Sequence, residues 1–285
     1  MDGWTTYGVS VLMTSLPPRR MGSPSGQAPL AFGHLDASQP NVGRALLLAG
    51  EPAFELSWWC GTCPFLFRRL GGANGTLSEE IAVLSELEGP VDGIDERVLA
   101  PFVELVPEGD YLPLLLRVEP VMVAPHDELD YFAHEQVDTW GVDPFWRLPH
   151  DPRAVYYRTF ETPVSSEAHL YEFVVPMVPP GWNERARVEH YRGAIVGGSA
   201  PTAVALSTLD VCAPAVEIEG GDYYAHWGLT HFLLDGHHKV EAAARAGAAI
   251  QLLSLVNLDD GVADRADVLR LPSVLAQPPG SRPRP

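Results

Sequence analysis

The sequence predicts an α+β fold. Short β-rich runs alternate with two helical patterns between 165 and 260, further strand-like runs occupy the first half, and 46% apolar against 20% charged residues supply a sizeable core. A chain of 285 residues is long enough for two compact units or one large one.

Composition divides the chain into four parts. A Pro/Gly-rich lead (1–30) is expected to be flexible. It is followed by a mixed α+β region (31–160), a patterned region (165–260) and a tail (272–285) ending AQPPGSRPRP that is expected to be disordered. No internal repeat is present. In the mixed region ALLLAG and PAFELSWW read as strands, and Thr76 to Glu80 open a helix with a hydroxyl cap and early acids. LPLLLRVEPVMVAP reads as two extended runs broken at Pro120. The stretch 126–158, rich in aromatics and containing His126, His134 and His150, has weak periodicity and reads as an ordered loop or a ligand wall.

After 165 the pattern sharpens. LYEFVVPMV is a strand stopped by Pro179-Pro180-Gly181, and Asn183 is placed to cap a helix carrying Val188, Tyr191 and Ile195 on one face. Gly197-Gly198 ends that helix. TAVALSTLDV is β-rich, EIEGGDYYAHWG is a loop or hairpin, HFLLDG is a buried strand, HHKVEAAARAG is a helix stopped by Gly247, and AIQLLSLVNL is a strand. The predicted order is strand, helix, strand, strand, helix, strand.

Charge narrows the function classes. With 37 acidic and 19 basic side chains the formal net charge is -18, which repels nucleic-acid backbones and anionic lipid. A phosphate must therefore be caught by local donors in a pocket. No apolar run reaches the roughly 18 to 20 residues of a membrane span. The opening residues lack the order of a secretory signal, so a cytoplasmic protein is expected. Cys60, Cys63 and Cys212 are too few for a disulfide framework.

The densest chemistry is at 235–239. A strand ending in Asp235-Gly236 and turning into a helix that begins His237-His238-Lys239 gathers backbone N–H groups, two imidazoles and an ammonium at a helix N-terminus, which favours an anion. Gly236 lets a phosphate approach the backbone, and Lys239 adds a charge. Asp235 is placed to bind Mg²⁺ or to accept a proton from an attacking hydroxyl. Read alone, the same run is equally a tight turn leading into a surface helix.

HFLLDGHHKVEAAARAG, with the preceding VVPMVPPGWNERARVEHYRGAIVGGSAPTAVALS, resembles the ParB/sulfiredoxin superfamily over about 95 residues. Gly197, Pro201, Asp235, Gly236, His238, Lys239 and Ala242 occupy matching places. His237 stands where the sulfiredoxin cysteine would be, which disfavours that chemistry. The Asp-Gly-His-x-Arg box of the free-serine kinase branch is most similar. That resemblance implies transfer of a phosphoryl group from ADP or ATP, with Mg²⁺, to a small hydroxyl compound. Asp235 matches the box aspartate. Glu184, with Glu189 behind it, is the candidate for the upstream glutamate, and Gly236, His237, His238 and Lys239 would bind the phosphates. Lys239 replaces the family's arginine, exchanging a bidentate fork for a point charge.

Two further features compete for a role. WWCGTCPF sets Cys60 and Cys63 in a Cys-x-x-Cys frame that suits a redox pair, half of a zinc site, or two buried thiols. His226 and His231 flank the loop that leads into the box and are candidate substrate contacts, although His231 on an apolar strand equally suits a satisfied core residue. Tyr223, Tyr224 and Trp227 could stack a nucleobase or close the core. The expected function is a nucleotide-binding, phosphotransferase-like protein acting on a small molecule. The alternatives are a nucleotide-gated binding or scaffold protein of the ParB-like type without catalysis, and a ParB-like nuclease, which the acidic charge argues against.

Overall fold

The computed structural model describes residues 9–24, 28–35, 43–56, 67–75, 87–124 and 153–276, apart from 167 and 213–224, together with scattered positions from 127 to 150. Its strands are β1 (Ser10–Ser15), β2 (Arg19–Met21), β3 (Leu30–His34), β4 (Arg44–Leu48), β5 (Glu51–Leu56), β6 (Phe67–Arg69), β7 (Gly109–Val118), β8 (Val121–Val123), β9 (Tyr156–Ser165), β10 (Ala168–Pro176), β11 (Thr202–Cys212), β12 (Ala225–Asp235) and β13 (Ile250–Asn257). The helices are α1 (Glu96–Val103), α2 (Arg185–Val196), α3 (His237–Ala246), α4 (Arg265–Val268) and α5 (Leu271–Leu275). The fold is α+β, and over 165–260 the elements follow the expected order.

A nine-stranded mixed sheet runs β1-β7-β13-β11-β12-β10-β9-β8, with β2 also on β7, and β3 to β6 form a second, antiparallel sheet. Within the large sheet β10 lies parallel to β12, and β11 parallel to β13. Both faces of these central strands are covered. Phe173, Leu206, Phe232 and Leu253 pack with Phe54 of the small sheet and Phe102 of α1. Leu229, Leu233, Leu252 and Val256 pack instead with Val188 and Tyr191 of α2, Val240 of α3 and Leu271 of α5. Two-sided burial is why IQLLSLVN is a continuous run without alternation: every residue of β13 is buried.

The division expected at 160–165 falls in the β9–β10 hairpin, and the sheet runs through it. β7, from the first half, pairs with β13 along Tyr111–Val118. Residues 10–21, expected to be a flexible lead, instead form β1 and β2 on β7, because VSVLMTS carries enough alternation to hold an edge. The start of the expected disordered tail is likewise ordered, since Leu271, Val274 and Leu275 of α5 are buried. The helix expected from Thr76 lies outside the described residues.

The large sheet is strongly curled. β1 and β10 are five strand steps apart in the pairing order, a span of about 24 Å in a flat sheet. Nevertheless Ser10 Oγ donates to Glu172 Oε1 at 3.2 Å. That contact belongs to a fully buried polar group. Thr159 Oγ1 also donates to Glu172, His231 Nε2 lies 3.2 Å from Glu172 Oε1, and His231 Nδ1 lies 2.7 Å from Ser207 Oγ and 3.1 Å from Ser254 Oγ. Satisfied in this way, polar atoms can occupy the centre of an apolar face.

Candidate functional site

The residues singled out at 235–239 stand where β12 turns into α3. Gly236 has φ +96°, and a Cβ on it would fall 2.7 Å from the Cβ of Ala203, so both backbone and packing require glycine. Gly236 precedes the helix without a capping side chain, and Val240 N–H to Gly236 O is the first closing bond. The N–H groups of His237, His238 and Lys239 therefore begin the helix, at the positive end of its dipole.

Lys239 turns inward. Its side chain is 4% exposed, and Nζ donates to Leu87 O at 3.1 Å, Thr202 O at 2.9 Å and Asp235 Oδ2 at 3.0 Å. Three acceptors match the three donors of an ammonium. Its expected place as a phosphate-facing charge is thus taken up by a bond that ties the helix to β11 and to the segment at Leu87. Asp235 remains 23% exposed, with Oδ2 held and Oδ1 without a hydrogen bond among the described residues.

A second helix start meets the first. Asn183 does not cap α2 as expected. Its amide donates to Glu241 Oε2 at 2.8 Å and, more weakly, to His237 O, while Glu184 takes the cap position without a side-chain bond. Glu241, buried on α3, receives Arg185 at 2.6 and 2.9 Å and Arg245 at 3.0 Å. Burial raises the Glu241 carboxyl, but the bonds from Arg185 and Asn183 outweigh it and hold the group below the usual range. This clamp fastens α2 to α3 and brings Glu184 to the box, where its backbone N–H donates to His238 Nε2 at 3.2 Å. As an acceptor, that nitrogen carries no proton. Burial, followed by Arg187, lowers the His238 pKa in keeping with a neutral ring. Burial drives His237 further, to about 4, and its Nε2 is buried without a hydrogen-bond partner among the described residues.

The structure therefore brings Asp235, Gly236, His237, His238 and the Glu184 backbone to one corner. Glu189 lies elsewhere, paired with Arg192 at 2.8 Å on an exposed helix face. His231 is a satisfied core residue and not a substrate contact. Trp227 is buried beneath Arg270 at 5.0 Å and closes the core, and His226 packs edge-on to Tyr171. His150 is a loop residue whose N–H bonds Gly141 O. Cys60, Cys63, His126, His134, Tyr223 and Tyr224 lie outside the described residues. Cys212 is buried, and burial pushes its thiol up to about 12. No group of three or more His, Cys, Asp or Glu is arranged to hold a metal among the described residues.

Sequence reasoning missed the Glu241 clamp, whose signal was an Arg-rich helix start facing a glutamate on an Ala-rich helix. A shallow cleft of about 290 Å³ lined by Phe32, His34, Arg44, Asp259 and Asp260 is separate from the box. It adjoins Asp210, which pairs with Arg44 eight residues along β11 from Thr202, or about 26 Å away.

Comparisons with protein-family models, with curated proteins and with solved structures gave no match to this chain.

Proposed function

We propose that the protein binds ADP or ATP by its phosphates where the N-termini of α2 and α3 meet, and moves a phosphoryl group to a small hydroxyl compound with Asp235 as the base. The observation that carries this reading is the state of Asp235: one oxygen is fixed by Lys239, while the other has no hydrogen-bond partner among the described residues and stands beside the uncapped start of α3. The element order over 165–260 and the Asp-Gly-His-His-Lys run support a ParB/sulfiredoxin-like arrangement. The first-turn N–H groups of α3 would hold the phosphates. His238, neutral and anchored by Glu184, would orient the box, and Asp235 would take the acceptor's proton. Mg²⁺ would be held by Asp235 together with the nucleotide's phosphates, since no set of protein ligands is assembled among the described residues. When bound, it would neutralise phosphate charge.

A second reading, nucleotide-gated binding without catalysis, is favoured by Lys239, whose three N–H bonds all end inside the protein. Calorimetry with Mg²⁺ and ADP or ATP, paired with a transfer assay over small alcohols, separates the two. Binding lost in His238→Ala and transfer lost in Asp235→Asn support the kinase reading. Binding without any transfer supports the second, and no binding to folded wild type sinks both.

A further inference from the structure

Arg69, at the end of β6, is 7% exposed, yet no carboxylate among the described residues pairs with it. Nη2 donates to two neutral acceptors, Ala73 O at 2.9 Å and Met177 O at 3.3 Å, while Nε is buried with no acceptor among the described residues. Burial lowers its pKa, the direction expected of a cation without compensation. Arg158, the other deeply buried arginine among the described residues, contrasts with it, matched by Asp130 at 3.1 Å and Glu161 at 2.9 Å. A buried cation that lacks a counter-charge is costly to the fold and calls for an anion from outside.

Its position gives that anion a context. The guanidinium carbon lies 5.9 Å from the ring of Trp182, which is 49% exposed and directly precedes Asn183 and Glu184. Met177, whose carbonyl it binds, follows Pro176, and Pro176 pairs with Leu233, two residues before Asp235. Two strand residues span about 7 Å, so the segment whose carbonyl Arg69 binds lies within the length of a nucleotide from Asp235.

We propose that Arg69 is an oxyanion-binding residue, whose N–H groups not given to Ala73 O and Met177 O take a phosphate or carboxylate oxygen of the ligand that occupies the box. The proposal rests on the nucleotide-site reading for its ligand class. It supplies the cation that Lys239, turned inward, does not.

The test is thermal unfolding of the full chain at constant ionic strength, titrated with pyrophosphate, with lactate and with chloride as control, for wild type, Arg69→Lys and Arg69→Met. Calorimetry with ADP on the same proteins and on His238→Ala completes it. The expected result is saturable stabilisation of wild type by pyrophosphate or lactate, at least tenfold weaker in Arg69→Lys and absent in Arg69→Met. A response to pyrophosphate alone assigns the site to a nucleotide phosphate, and one to lactate alone assigns it to the acceptor's carboxylate. Should Arg69→Met not fold, the wild-type titration and Arg69→Lys still decide. A wild type indifferent to both anions overturns the proposal. ADP binding lost in His238→Ala but unchanged in the Arg69 variants overturns it while leaving the box intact. Oxyanion binding lost only in the Arg69 variants, with ADP unaffected by His238→Ala, upholds Arg69 and removes the box.

Discussion

Lys239 Nζ holds Asp235 Oδ2 at 3.0 Å and gives its other two N–H bonds to the carbonyls of Leu87 and Thr202, so the charged side chain of the box is a tie between three segments. Removing it strands two carbonyls and a half-buried carboxylate. Lys239→Met is expected to destabilise the protein by about 3 kcal/mol in urea unfolding. Because none of those bonds points outward, nucleotide affinity of the folded variant should change by less than about tenfold, as calorimetry would read. A larger loss of affinity at unchanged stability would return Lys239 to the phosphates.

Glu241 fixes the angle at which the two helix starts meet. Arg185 and Arg245 are each nearly half exposed and can turn to water, whereas the Asn183 amide is buried and cannot. Glu241→Ala should therefore cost about 2 kcal/mol. It should also release the Glu184 amide from His238, seen as faster hydrogen exchange at Glu184 than at the α2 interior. Equal exchange in variant and wild type would show that the α2 start does not depend on the clamp.

The elements after 165 were legible because each is written locally. Two helix stops fall at Gly197 and Gly247, the latter with φ +56°, and β13 carries apolar residues on both faces. What escaped is long-range. The pairing of Tyr111 with Asn257 spans about half the chain, and nothing in GDYLPLLLRV names IQLLSLVN as its partner, so the sheet was divided at a hairpin. Asn183 looked like a cap because its residue type favours one, but a carboxylate 58 residues away captured its amide. Whether Lys239 faced solvent was decided by Leu87 and Thr202, on two other segments.

Glu172 lies at the centre of the curled sheet with 0% exposure and receives Ser10, Thr159 and His231. Glu172→Ala leaves those three groups facing an apolar gap and should cost about 3 to 5 kcal/mol in urea unfolding. β1 should also lose protection, since Ser10 reaches Glu172 across five strand steps. A loss below about 1 kcal/mol would mean that the buried group contributes no net stability.

His237 makes stability depend on pH. Its folded value, about 4, lies below the ordinary 6.5 because burial opposes the charged ring. Between those values the unfolded chain binds a proton that the folded chain refuses. The contribution is therefore complete above about pH 6.5 and is lost as pH falls toward 4, by at most about 3 kcal/mol, reduced by the residue's partial contact with solvent. His237→Gln cannot titrate there. Urea unfolding of wild type and variant at steps from pH 7 to 4 should show wild type losing stability faster on acidification, with the difference confined to that window. Parallel curves would mean that His237 protonates equally in both states, and that the buried Nε2 has a proton-accepting outlet at the start of α3.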